Sequence, residues 1–287
     1  MDTNKVIVGE CSEILCGFPE EIIDMTITSP PYGSARSYKG FTFNCDKISK
    51  ELFRVTKVGG VVVWVEGDEI INGGESCSSF KSALNFVDNG FRLHDTMIYE
   101  KNTSSFPARR TGNRYTQIFE YMFVFSKGKP KTCNLICDKE NRWKGWVNWG
   151  KKTHRNKEGE LVKTGDIKPV PSYSPRNNLW KFEVTPEVIL SSQDEETQEE
   201  FARTNVWRYV VGAKYGQKDV RAYKHPATFP MDLAKDHILT WSNEGDLVLD
   251  PMCGSGTSCI AAKNLKRNYI GIDISEEYCE LTKERLS

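Results

Sequence analysis

Apolar and polar positions alternate with two periods along the first 130 residues. Lys5-Val6-Ile7-Val8-Gly9 and Asp24-Met25-Thr26-Ile27-Thr28 have the length and composition of short strands, and Ser29-Pro30-Pro31 stops the second. Two consecutive prolines neither continue a ladder nor enter a helix interior. From Asp46 to Lys57 the apolar residues Ile48, Leu52, Phe53 and Val55 fall at helical spacing, and Gly59-Gly60 is expected to end that helix. Val61-Val62-Val63-Trp64-Val65 is apolar on both faces, as a strand inside a parallel sheet must be. Ser78 to Asn89 reads as a helix ended by Gly90. Phe91 to Glu100 and Ile118 to Ser126 read as strands antiparallel to one another.

The rhythm returns near the C-terminus. Pro230 to Trp241 is expected to be a helix, Asp246 to Asp250 a strand, Thr257 to Leu265 a helix, Asn268 to Asp273 a strand and Ser275 to Leu286 a helix. Strands and helices in this alternation imply right-handed crossovers and a doubly wound α/β sheet. Residues 131–220 lack a sustained period. They hold scattered prolines and several tryptophans, among them Trp143, Trp146, Trp149, Trp180 and Trp207. A structureless loop of ~90 residues is foreign to a compact domain. The expected organisation is therefore one domain from 1–130 and 221–287, with 131–220 inserted as a lobe of irregular or mixed structure. Its tryptophans are expected mostly to fill a small core.

Composition narrows the classes. Mean hydropathy is −0.52, and no apolar run approaches the ~18 residues of a membrane span. The first residues, Met1-Asp2-Thr3-Asn4-Lys5, lack a secretory pattern. Nine cysteines at scattered spacing argue against a disulfide framework and for a reducing cytoplasm. Cys133 and Cys137 have no second Cys/His pair at ligand spacing, so no metal is expected. Charge is balanced, with 39 basic and 39 acidic residues, but unevenly distributed. Lys101 to Lys157 holds 14 Lys or Arg against three Asp or Glu, and Glu183 to Glu200 holds seven acids and no base. A neutral total thus conceals a basic segment of the kind that phosphates attract.

Two segments carry candidate chemistry. Asp250-Pro251-Met252-Cys253-Gly254-Ser255-Gly256-Thr257 follows a strand and opens a helix. Its glycines allow a tight turn, and the helix start offers free N–H groups. Asp273 ends the next strand about 20 residues on, where an acid can hydrogen-bond ribose hydroxyls. The third glycine of a dinucleotide fingerprint and the Gly-Lys-Ser/Thr of an ATPase loop are both missing. A ribose-bearing ligand without a pyrophosphate fits better, and S-adenosylmethionine is one. Thr28-Ser29-Pro30-Pro31-Tyr32-Gly33 lies where the carboxyl end of a strand should be, the usual place for a site on such a sheet. A hydroxyl, a fixed carbonyl and an aromatic plate suit an extruded base bearing an exocyclic amine.

Together the two segments resemble the S-adenosylmethionine-dependent DNA amino-methyltransferases. Ser29-Pro30-Pro31-Tyr32 is similar to their catalytic motif, and Asp250-Pro251 with Gly254-Ser255-Gly256-Thr257 to their cofactor motif. The catalytic motif comes first, the order of the β class. Met252-Cys253 departs from the usual aromatic-small pair, and Glu10 stands where Asp is common. The resemblance implies a seven-stranded Rossmann-like methyltransferase sheet with a target-recognition lobe at 131–220. It implies that Ser29, Pro30, Pro31 and Tyr32 are catalytic. It implies that Glu10, Cys11, Asp250, Pro251, Gly254, Ser255, Gly256, Thr257, Asp273 and Ile274 bind S-adenosylmethionine. The partner implied is double-stranded DNA, with Arg109, Arg110 and Arg114 on its phosphates. A homodimer and a partner restriction endonuclease are both left open. Ser29 favours N4 of cytosine as the target over N6 of adenine. An RNA methyltransferase, in which the cofactor motif usually comes first, is a third reading, and a module that has lost methyl transfer is a fourth.

Overall fold

The computed structural model describes residues 1–31, 43–100, 117–147, 153–163, 168–180 and 230–287. In chain order the first half gives β1 (Lys5–Val8), α1 (Cys11–Cys16), β2 (Ile23–Thr28), α2 (Cys45–Val55), β3 (Thr56–Glu66), β4 (Ile70–Ile71), β5 (Gly74–Glu75), α3 (Ser78–Asp88), β6 (Arg92–Glu100) and β7 (Phe119–Ser126). Short strands follow: β8 (Lys139–Glu140), β9 (Thr153–Arg155), β10 (Leu161–Lys163), β11 (Tyr173–Ser174) and β12 (Leu179–Trp180). The C-terminal part gives α4 (Met231–Trp241), β13 (Leu247–Asp250), α5 (Thr257–Asn264), β14 (Asn268–Asp273) and α6 (Glu276–Leu286).

The main sheet has the order β1-β14-β13-β2-β3-β7-β6-β12. The first five strands are parallel, and β7 runs antiparallel to both β3 and β6. The seven strands expected from the sequence are thus present, with the two-residue β12 added parallel to β6 at the edge. From β13 the chain crosses through α5 to β14 on one side. From β2 it crosses through α2 to β3 on the other. The switch point lies between β13 and β2, where a doubly wound sheet opens a crevice at its carboxyl ends.

Helices α1, α2 and α3 pack side by side on one face, and α4, α5 and α6 form the other row. The apolar faces read from the sequence are the buried ones. Ile48, Leu52 and Val55 of α2 meet Val62 and Trp64 of β3 in one core with Phe86, Phe123 and Phe125. Phe86 and Phe125 stack with centroids 4.5 Å apart. Burying each such side chain contributes roughly 1.5–3 kcal/mol.

One boundary differs from the sequence reading. The helical spacing predicts a helix up to Gly59-Gly60, yet α2 ends at Val55 and β3 begins at Thr56. Thr56 is β-branched, and its hydroxyl donates to the Leu52 carbonyl at 2.6 Å, closing the last turn. Gly59, at φ +84°, sits within the strand rather than beyond the helix. The start of α3 also has an unforeseen support. Its N-cap residue Cys77 makes no side-chain cap. Asp68, just beyond β3, takes that role and accepts from the Ser79 N–H and the Ser78 hydroxyl, each at 3.1 Å.

The described residues fall into two compact units. The first comprises Met1–Asn134 with the described parts of 178–193 and 206–287; the second comprises Leu135–Asn177. Within the second, β8 pairs with β11 and β9 with β10, both antiparallel. Arg176 pairs with Asp138 at 2.5 Å. No helix among the described residues is long and apolar enough to cross a membrane.

Candidate active site

Four adjacent parallel strands end on the same edge of the sheet, and each brings one polar group there. β1 leads into Glu10, β14 ends at Asp273, β13 at Asp250, and β2 at Thr28 followed by Ser29. Register places Val8 beside Asp273 and Asp250 beside Gly271. Neighbouring strands lie ~4.8 Å apart, so the four groups form one row.

The two candidate motifs are joined directly. The Thr28 hydroxyl donates to Asp250 Oδ1 at 2.8 Å across the switch point, in a buried bond spanning 222 residues of sequence. Thr28 immediately precedes Ser29-Pro30-Pro31, and Asp250 immediately precedes the glycine turn. The same Oδ1 accepts from the Met252 N–H at 3.2 Å. Asp250 is only 2% exposed. Burial pushes its carboxyl up to about 6, against the hydrogen bonds that favour the charged form.

The glycine turn is built by its neighbours. Asp273 Oδ2 accepts from the Gly254 N–H at 2.8 Å, and Oδ1 from the Ser275 N–H at 2.9 Å. Burial raises Asp273 above the usual carboxylate range, and these amide bonds oppose that rise. From α6 the Thr282 hydroxyl donates to the Gly254 carbonyl at 2.8 Å, and the Arg285 guanidinium to the Ser255 carbonyl. Gly256, at φ +79°, caps α5 without a side chain, and a methyl there would run into the Thr282 side chain. This glycine is demanded by the packing of α6.

Glu10 caps α1, its carboxylate accepting from the Glu13 N–H at 2.9 Å and from the Ser12 hydroxyl. Burial acts to raise its carboxyl, but these bonds hold it below the ordinary value. Cys11 is buried beside it, and burial with the Glu10 charge pushes its thiol up to about 12. It is therefore no nucleophile.

The structure thus gathers Ser29, Pro30, Pro31, Glu10, Cys11, Asp250, Pro251, Gly254, Ser255, Gly256, Thr257, Asp273 and Ile274 along one edge. Tyr32, Arg109, Arg110 and Arg114 lie outside the described residues. Thr28, Ser12, Thr282 and Arg285 support the edge, and the sequence reading missed them. The one available signal was the spacing of Cys279, Thr282 and Leu286, which marks the inner face of α6.

The chemistry of this row fits S-adenosylmethionine. Asp273 and Glu10 offer carboxylate acceptors to hydroxyls and an amine, Asp250 adds negative charge for a cationic ligand, and α5 opens at Gly256, whose lack of a side chain lets a ligand approach the turn closely.

Comparison with known proteins agrees with that chemistry. The family model described as DNA methylase, for the N6/N4 methyltransferases, matches residues 23–284. The orphan methyltransferase M.BamHII of Bacillus amyloliquefaciens is 48% identical over 98% of this chain and 91% of its own length. The type II methyltransferase M.SmaI of Serratia marcescens is 24% identical over 98% of this chain and 90% of its own. Among solved structures, a DNA modification methylase of Thermus thermophilus complexed with S-adenosyl-L-methionine aligns with TM-score 0.57 at 25% identity, covering 98% of this chain and 92% of that one. The cytosine-N4-specific PvuII DNA methyltransferase aligns with TM-score 0.61 at 19% identity, covering 100% and 87%.

Proposed function

We propose, from the premise that this chain belongs to the N6/N4 family of DNA methylases, that it methylates N4 of cytosine in duplex DNA. Membership makes it a DNA amino-methyltransferase, and its methyl donor is S-adenosylmethionine. The observation that carries the cytosine reading is Ser29 at the carboxyl end of β2. The chain has a hydroxyl where adenine enzymes of the family more often have a carboxylate.

The roles follow from chemistry. The exocyclic amine of cytosine is a weak nucleophile because its lone pair is conjugated with the ring. Two acceptors on its hydrogens favour the pyramidal form, in which the lone pair is free to attack. Ser29 Oγ is assigned to one and the Pro30 carbonyl to the other. Pro31 fixes the direction of that carbonyl, and Tyr32 stacks on the extruded base, worth ~1–3 kcal/mol. Bound along the carboxyl edge, S-adenosylmethionine supplies a methyl group made electrophilic by its sulfonium. Asp273 is assigned to the ribose, Glu10 with Cys11 and Ile274 to the adenosine end, and the Asp250–Thr257 turn to the methionine end. The Thr28–Asp250 bond fixes the amine-holding turn against the cofactor turn. In-line positioning of this kind can supply ~7–11 kcal/mol of the barrier. A serine is too weak a base to take the amine proton first, so the proton leaves to water after transfer.

The lobe at 131–220 is assigned to sequence choice, and Arg109, Arg110 and Arg114 to phosphates. A reducing cytoplasm suits the nine free thiols. Sequencing unmethylated DNA treated with the protein, with separate detection of N4-methylcytosine and N6-methyladenine, tests the reading. Methylcytosine within one recurrent sequence is expected, and methyladenine would overturn the cytosine assignment.

A further inference from the structure

The second unit displays tryptophans that composition alone assigns to a core. Trp143 is 54% exposed, Trp146 48% and nearby Tyr173 53%. The two indoles meet edge to face, with centroids 6.1 Å apart and planes at 62°. The Arg142 guanidinium lies 5.6 Å from the Trp143 ring centroid.

This display is held in place by backbone bonds. The turn is closed by Trp146 N–H donating to the Trp143 carbonyl at 3.0 Å and Lys144 N–H donating to the Asn141 carbonyl at 3.2 Å. It is fastened to the facing segment by Asn141 N–H to the Ser172 carbonyl, Gly145 N–H to the Val170 carbonyl and Val170 N–H to the Trp146 carbonyl, at 2.8, 2.8 and 3.0 Å. The Asn141 side chain bonds the Pro171 carbonyl at 2.9 Å and accepts from the Ser174 hydroxyl at 3.0 Å. A turn tied this way presents its rings with little further ordering on contact.

Charge indicates what the rings meet. The described residues of 135–177 carry eight Lys or Arg against four Asp or Glu, whereas the whole chain is balanced at 39 each. Lys144 at the turn is paired with exposed Glu140, at 2.6 Å. A pair so exposed to water is weak and exchanges readily for a phosphate. Clustered aromatic faces beside Arg and Lys match a polymer that alternates flat rings with negative charge.

We propose that the Arg142–Trp146 turn is a DNA-contact element. Trp143 and Trp146 pack against sugars and groove edges of the target duplex, while Arg142 and Lys144 meet the flanking phosphates. The proposal rests on the DNA methyltransferase reading and adds to it the surface that engages the duplex.

Initial rates of labelled methyl transfer to unmethylated bacteriophage genomic DNA, at saturating S-adenosylmethionine, give the KM for DNA. In the double variant Trp143→Ala, Trp146→Ala that KM is expected to rise on the order of tenfold, the loss expected when buried aromatic contacts are truncated. Calorimetric affinity for S-adenosylmethionine should stay unchanged, and Trp143→Phe, Trp146→Phe should keep most of the DNA affinity. Acrylamide quenching supplies a readout that does not depend on the alanine variant folding. DNA should shield the tryptophan emission of the parent and lose most of that effect in the double phenylalanine variant. A parental KM in the alanine variant, or no shielding in the parent, overturns the proposal. So does a parental KM accompanied by loss of self-association in sedimentation, which would make the turn a protein interface. If the parent itself transfers no methyl group to DNA, the failure belongs to the functional reading instead.

Discussion

Replacing Asp250 by Asn probes the bond that joins the two motifs. Asp250 is 2% exposed, and burial lifts its carboxyl to about 6 from an ordinary 3.8. The folded protein therefore holds this proton more tightly than the unfolded chain does. The associated stability is fully present below pH ~4 and is lost as pH rises through ~6. A shift of roughly two units corresponds to ~3 kcal/mol. Asn cannot ionise, and its amide oxygen can still accept from the Thr28 hydroxyl and the Met252 N–H. Its amide hydrogens lack the acceptor that a carboxylate never needed, a cost of ~1–3 kcal/mol that does not vary with pH. Urea unfolding of parent and variant from pH 4 to pH 8 separates the two contributions. The variant should gain on the parent by ~3 kcal/mol between pH 4 and pH 7, whatever the constant offset. Parallel pH profiles would refute the claim that Asp250 is buried as described. The same variant should bind S-adenosylmethionine more weakly at neutral pH, because a neutral amide forgoes attraction to a cation.

Ser29→Ala removes one acceptor proposed for the amine, and single-turnover methyl transfer should slow by the equivalent of ~1–3 kcal/mol while cofactor affinity measured by calorimetry is retained. Tyr32→Phe keeps the ring proposed to stack on the base and should retain most activity, whereas Tyr32→Ala should lose roughly five- to 150-fold in the same assay; equal losses would shift the role to the hydroxyl. Gly256→Ala adds a methyl against Thr282 to a residue at φ +79°. The left-handed conformation alone costs ~1–2 kcal/mol, so thermal unfolding should show a clear loss.

Period and punctuation made the sheet legible. Val61 to Val65 could only be an interior strand, and the restart at Asp246 supplied the remaining parallel strands. The helix end at Val55 was not legible, because no helix-breaking residue precedes Gly59 and the decisive feature is the Thr56 hydroxyl on Leu52. The motif residues could be named from their types and order, but their connection could not. Thr28–Asp250 and Gly254–Asp273 are contacts between distant segments, fixed by strand order and register. The exposure of Trp143 and Trp146 was hidden for a related reason. Composition says that tryptophan prefers the interior, and only the backbone bonds to 170–172 show that this turn holds them outside.

The carboxyl edge of β2 and β13 is proposed to form one site that methylates cytosine at N4. Incubating the protein with unmethylated DNA and methyl-deuterated S-adenosylmethionine, digesting the DNA to nucleosides and locating the label by mass spectrometry tests this in a single experiment. The label is expected in N4-methyldeoxycytidine alone and should be sharply reduced with Ser29→Ala. Label in N6-methyldeoxyadenosine would contradict the choice of base, and DNA without label would contradict the account of the site.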